Sequence, residues 1–156
     1  MDDYSSGGYA LAAILGFYAV FFWIWLILLI GSYVLWALSL TAFFKKVGVE
    51  PWIAWVPVYN NWKLLEVGGH QGWFALLVFV PYVGGTVTAI FIFIGMYRTG
   101  LAFGKDGSFV VLGIFLPFVW AFLLGGRNEV YRPEILTQRG FPPPLAGYGA
   151  VSPHRA

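Results

Sequence analysis

The chain has no cysteine and very little charge. The missing cysteine excludes disulfides, thiolate metal sites, iron–sulfur clusters, thioether-linked haem and palmitoyl anchors. Charged residues make up 10% of the sequence, against roughly 25% in soluble domains. So small a share cannot cover a water-facing surface, and lipid must be the solvent for much of it. The net charge of +2 gives nucleic-acid binding no electrostatic support. Histidine is scarce as well. A bis-histidine haem needs two helix-borne imidazoles within the hydrocarbon, and here there are only His70 and His154. Too few ligands remain for a metal, and no cofactor is expected.

What the chain has in excess is apolar and aromatic: 60% hydrophobic and 21% Phe, Trp and Tyr. Trp and Tyr in such numbers suit the headgroup belts of a bilayer, where an amphipathic ring sits half in water. The longest uncharged run covers residues 9–44 and stops at Lys45-Lys46. At about 1.5 Å per residue it exceeds the roughly 30 Å hydrocarbon core, so it reads as a first transmembrane helix, tilted or projecting into the headgroups. Residues 1–8 form a polar lead. Its acidic start, Met1-Asp2-Asp3, and the length of the run favour a retained helix over a signal peptide. Ala12 and Gly16 have small-xxx-small spacing, although chance accounts for two small residues in so apolar a helix.

Residues 45–72 read as an interfacial elbow. Pro51 and Pro57 forbid one continuous helix, and Trp52, Trp55, Tyr59 and Trp62 alternate with charged residues as in a segment lying in the interface. Asn60 or Asn61 is expected to cap a short helix that runs to Val67 and ends at Gly68-Gly69. Lys63 and Glu66, and Lys46 and Glu50, have the spacing of local ion pairs; a gate or proton site would need them nearer mid-membrane.

Residues 73–97 read as a second transmembrane helix, kinked near Pro81 with Gly84 and Gly85 at the break. A re-entrant half-helix followed by a second helix is the alternative for 73–103. Residues 98–108 form a short outer loop, and 109–126 a third transmembrane helix interrupted by Pro117. Residues 127–156 form a Pro-rich cytoplasmic tail without helical or strand period, solvated unless a partner orders it. Arg132, Phe141, Pro142, Pro143 and Pro144 are its candidate docking residues. With the N-terminus outside, Lys45, Lys46, Lys63 and the tail arginines lie in the cytoplasm, and only Arg98 and Lys105 face out.

Several stretches together carry a family resemblance. Phe43-Phe44-Lys45-Lys46-Val47-Gly48 leads into Pro51-Trp52-Ile53-Ala54-Trp55-Val56-Pro57-Val58-Tyr59-Asn60. Pro81-Tyr82-Val83, Ala102-Phe103-Gly104-Lys105 and Phe115-Leu116-Pro117-Phe118 follow. This set, over residues 43–131, resembles a family of small bacterial multi-pass membrane proteins with a domain of unknown function. Its members are often automatically labelled signal-peptidase-like or "large exoprotein". The resemblance implies a membrane protein and no established activity. A Ser–Lys protease needs a neutralised lysine inside a sizeable extracytoplasmic domain, and Lys105 with Ser108 sits in a loop too short for that.

The expected fold is therefore an all-α integral membrane protein with three transmembrane helices, an elbow and an extended tail. The expected location is the bacterial cytoplasmic membrane, N-terminus out and C-terminus in. The expected role is a non-catalytic accessory subunit of a larger membrane complex, respiratory or otherwise energy-converting. Its partners would be the lipid bilayer and other subunits. The alternative is a homo-oligomeric pore or small transporter built on the kinked second helix.

Overall fold

A computed structural model describes residues 3–149, and every regular element among them is helical. The α-helices are α1 (Asp3–Val47), α2 (Tyr59–Val67), α3 (Gly84–Ala102), α4 (Phe109–Phe115), α5 (Pro117–Leu124) and α6 (Glu134–Gln138). Three 3-10 helices, Pro51–Trp55, Gly72–Phe79 and Gly147–Gly149, complete the order. Two helices are long and apolar enough to cross a membrane, Gly7–Val47 within α1 and α3 itself. That points to membrane association.

The chain divides after Leu35 into two units. The first is helix alone, and its large side chains are exposed: Tyr9 is 77% exposed, Phe17 67% and Leu29 65%. An aromatic ladder runs along it at helical spacing, with Phe17 stacked on Phe21 at 6.2 Å and Phe21 edge-on to Trp25 at 5.9 Å. Helix already begins at Asp3, inside the segment that composition marks as a polar lead.

The second unit carries the core. Phe43 and Phe44, on the last turns of α1, are fully buried. The Phe43 ring lies 5.4 Å from Trp120 of α5 and 6.2 Å from Phe103 beyond α3. Gly125 allows α5 to close on α1, since a Cβ there would come within 2.8 Å of Ala42. Leu64 and Val67 of α2 and Met96 of α3 fill the same core.

The second apolar stretch is not one kinked span from residue 73. Residues Gly72–Phe79 form a 3-10 helix, a turn follows, and α3 starts only at Gly84. Eight residues at about 2.0 Å rise cover ~16 Å, about half the hydrocarbon core. The 3-10 helix doubles back along α3: Phe74 stacks on Phe91 at 4.4 Å, and the Thr88 hydroxyl donates to the Phe74 carbonyl at 3.1 Å. Val58 and Tyr82 are the two non-glycine residues with positive φ among those described. Tyr82 stands fully exposed on the apolar turn.

The third stretch is broken too. Leu116 leaves the helical region at φ −135° and ψ 66°, as the residue before a proline is driven to do. The two pieces, α4 and α5, are about 10 and 12 Å long, so neither alone crosses a bilayer. The tail also departs from expectation, because it folds back on its own chain. Leu136 of α6 is fully buried against Leu101 and Ala102. The Leu145 N–H donates to the Glu66 carbonyl at 2.8 Å.

Gly84 and Gly85 separate cleanly. A Cβ on Gly84 would collide with the carbonyl of Leu77, whereas one on Gly85 meets open space. Gly84→Ala is expected to cost about 1–3 kcal/mol. Gly85→Ala should be neutral or stabilising by about 0.5–1 kcal/mol, from helix propensity. Thermal unfolding of both variants in detergent reads the difference, and equal melting points would contradict this packing.

Candidate functional site

Contacts within the second unit bring charged residues of several segments together. Lys63 and Glu66 pair at 2.6 Å on α2, as their spacing predicts. The same carboxylate accepts the Trp62 indole N–H at 2.8 Å. This fixes a ring that packs where any side chain on Gly72 would have to go. Lys46, by contrast, does not turn to Glu50; its ammonium donates to the Arg127 carbonyl at 3.5 Å.

Four contacts join segments that the three-span expectation puts on opposite membrane faces. Lys105 pairs with Glu129 at 2.6 Å. The Arg132 N–H donates to the Ala102 carbonyl at 2.9 Å. Arg98 reaches the Gly68 carbonyl at 3.4 Å, and its guanidinium lies 5.6 Å from the Phe141 ring centre. A 30 Å hydrocarbon layer cannot separate groups in contact. The segments 45–72, 98–108 and 127–148 therefore share one polar end.

The other expected site residues take definite positions around it. Asn60 is buried and does not cap α2. Its side-chain amide donates to the Ala54 carbonyl at 3.3 Å, tying α2 to the preceding 3-10 helix. The N-cap position falls to Val58, which has no side-chain cap. Trp52, Trp55, Pro57 and Tyr59 are exposed, with Trp52 and Tyr59 rings 6.1 Å apart. Lys45 is exposed on the last turn of α1. In the tail, Pro144 is buried and Phe141 half-buried, while Arg132, Pro142 and Pro143 are exposed. The carbonyls of Pro142 and Pro143 close over Gly69, which has φ +76°.

Sequence reasoning missed the partners that lie far apart in the chain: Glu129 for Lys105, Phe141 for Arg98, and Tyr148, whose ring covers Gly48. No spacing rule reaches across such separations. The arrangement offers little for covalent chemistry. Ser108 donates to the Asp106 carboxylate at 3.2 Å on the surface, and Lys105 is engaged by Glu129. Among the described residues no three His, Asp or Glu gather as metal ligands.

The fold shifts the titration of His70 and of Tyr131 in opposite directions. His70 packs edge-on to Phe91 at 5.4 Å, and its Nε2 is buried without a partner among the described residues. Burial lowers its pKa below 6.5, and the neighbouring Arg98 charge lowers it further. Burial acts oppositely on the Tyr131 phenol, raising its pKa, with the Glu134 charge adding to the shift. A histidine lowered in this way leaves the fold with full stability above the unfolded pKa. Stability declines as pH falls through 6.5, because the unfolded chain then takes up the proton first. Melting points measured from pH 7.5 to 5 should fall in the wild type, and His70→Gln should flatten that slope.

No curated protein and no solved structure matches the chain. A family model does match, over residues 52–132, which run from the first 3-10 helix through α2, the second 3-10 helix, α3, α4 and α5 to the start of the tail. On that match, which covers more than half its length, the chain belongs to the family of unknown function DUF5684.

Proposed function

We propose that the protein is a non-catalytic subunit of a larger membrane assembly, embedded from one membrane face and holding its partner through α1. The observation that carries this reading is the length of that helix. Its 41-residue apolar stretch has a mean hydropathy of 2.5 in its best window, and none of that window is buried. Its last turns are covered by the second unit's own core, and at about 1.5 Å per residue the exposed remainder, residues 7–35, is ~44 Å long, well over the hydrocarbon thickness. Lipid alone would cover it only at a tilt of about 45°, beyond the roughly 0–40° range of membrane helices. A protein surface can cover the remainder. The ladder of Phe17, Phe21 and Trp25 provides a face with shape to be read.

The shared polar end supports a single crossing, by α1, in place of three. The hairpin of the 3-10 helix Gly72–Phe79 with α3, and that of α4 with α5, dip into the lipid and return to the same side. Lys45, Lys46, Lys63, Arg98, Lys105, Arg127, Arg132 and Arg139 then all face one compartment. In a bacterial cytoplasmic membrane the positive-inside rule makes that compartment the cytoplasm. The pore reading has less in its favour, since at the helix break the Thr88 hydroxyl donates to the Phe74 carbonyl and the Gly84 N–H to the Val80 carbonyl.

Two experiments test these statements. The cysteine-free chain accepts single reporters at exposed Gly7, Ser108 and Thr137. Impermeant maleimide should label Ser108→Cys and Thr137→Cys from one face and Gly7→Cys from the other. Labelling of the first two from opposite faces would restore three spans. For the partner, purification in mild detergent should recover a complex. The triple change Phe17→Leu, Phe21→Leu and Trp25→Leu should release that partner without loss of insertion, and a lone monomer from the wild type would end the subunit reading.

A further inference from the structure

Beside the last turns of α1 lies an open groove of about 620 Å³ whose lining divides by chemistry. One half is cationic, with Lys45, Lys46 and Arg127, and Tyr148 adds a phenol. The other half is apolar, with Leu38 and Ala42 of α1. No carboxylate lines it, and none of its three cations pairs with a carboxylate among the described residues. The contact of Lys46 with the Arg127 carbonyl holds the two cationic segments together. A second groove nearby, of about 410 Å³, differs in one respect that matters: Glu50 stands in its lining with Lys63 and offsets the charge.

We propose that the first groove is a binding site for the phosphodiester headgroup of an anionic phospholipid. Three observations combine. Lys45 and Lys46 close a long uncharged helix, so they sit where headgroups begin if that helix is in the membrane. Three unpaired cations around one opening give an anion its complement, and basic pockets between membrane helices take anionic headgroups. Leu38 and Ala42 precede Lys45 and Lys46 on α1, so the apolar lining lies on the hydrocarbon side of the cations, where an acyl chain would run, which distinguishes a lipid from a free phosphate. Gly125 and Ala42, both in the lining, approach so closely that a side chain at 125 would not fit. The site rests on the membrane-embedded reading and needs no partner subunit.

Native mass spectrometry of the detergent-purified protein, titrated with phosphatidylglycerol or phosphatidylcholine of identical acyl chains, provides the test. The wild type should retain phosphatidylglycerol preferentially. Arg127→Gln should weaken that retention about fivefold, and the combination with Lys45→Gln and Lys46→Gln on the order of 100-fold. Lys63→Gln, outside the groove, should change nothing. Arg127 is exposed, so the single variant is expected to fold even if the triple one does not insert. Equal retention of the two lipids, or indifference to Arg127→Gln, would overturn the proposal. So would displacement of bound lipid by inorganic phosphate at comparable concentration, since the acyl chain would then contribute nothing. Failure of the chain to sediment with membranes would instead overturn the membrane reading, and loss of partner without loss of lipid would overturn only the subunit reading.

Discussion

An eight-residue 3-10 helix lies flat along α3 because two glycines leave room for it. At Gly84 a side chain would meet the Leu77 carbonyl, and at Gly72 it would meet the Trp62 ring. Once that strip is laid down, the chain reaches the far turn at Tyr82 and returns to where it started. Gly68 then abuts Gly95, and Arg98 comes level with the elbow, from which a continuous helix would hold it ~39 Å away. The tail can close over this junction only because the junction exists. Phe141 packs on Arg98, and the Leu145 N–H joins that of Gly69 on the carbonyl of Glu66.

The same geometry explains why so much of this fold was legible in composition and so little of its topology. Helix content and membrane character follow from the apolar excess and from the uncharged run ending at Lys45-Lys46. The end of α2 at Gly68 was also readable, because a glycine pair stops a helix. Hydropathy alone does not count crossings, for a physical reason. Hydropathy measures whether a segment can be in lipid, and residues 73–97 and 109–126 satisfy that whether they cross or turn back. The turn-back depends on backbone contacts between Leu77 and Gly84 and on the break at Leu116, neither of which changes hydropathy.

The tail makes the converse point. Its prolines read as a solvated segment, yet Leu136 and Pro144 are buried and Phe141 is half-buried. A coreless segment can be ordered by a surface that the rest of the chain builds, and no local window contains that surface. Asn60 was recognised as important for the wrong reason. Its amide serves the turn before α2 by holding the Ala54 carbonyl, where a capping rule would have had it serve the helix.

The ion pair of Lys105 with Glu129 bears on how such a chain enters a bilayer. Each lysine or arginine moved through the hydrocarbon centre costs on the order of 3 kcal/mol on insertion scales. If the loops on both sides of α4 and α5 stay together, no charged residue from Lys45 to Arg139 has to make that passage. The two hairpins can then wedge in from the side of synthesis after α1 is seated, with the polar end assembling in water. Biogenesis on this route asks the translocation machinery for one helix, and leaves the rest to partition by itself.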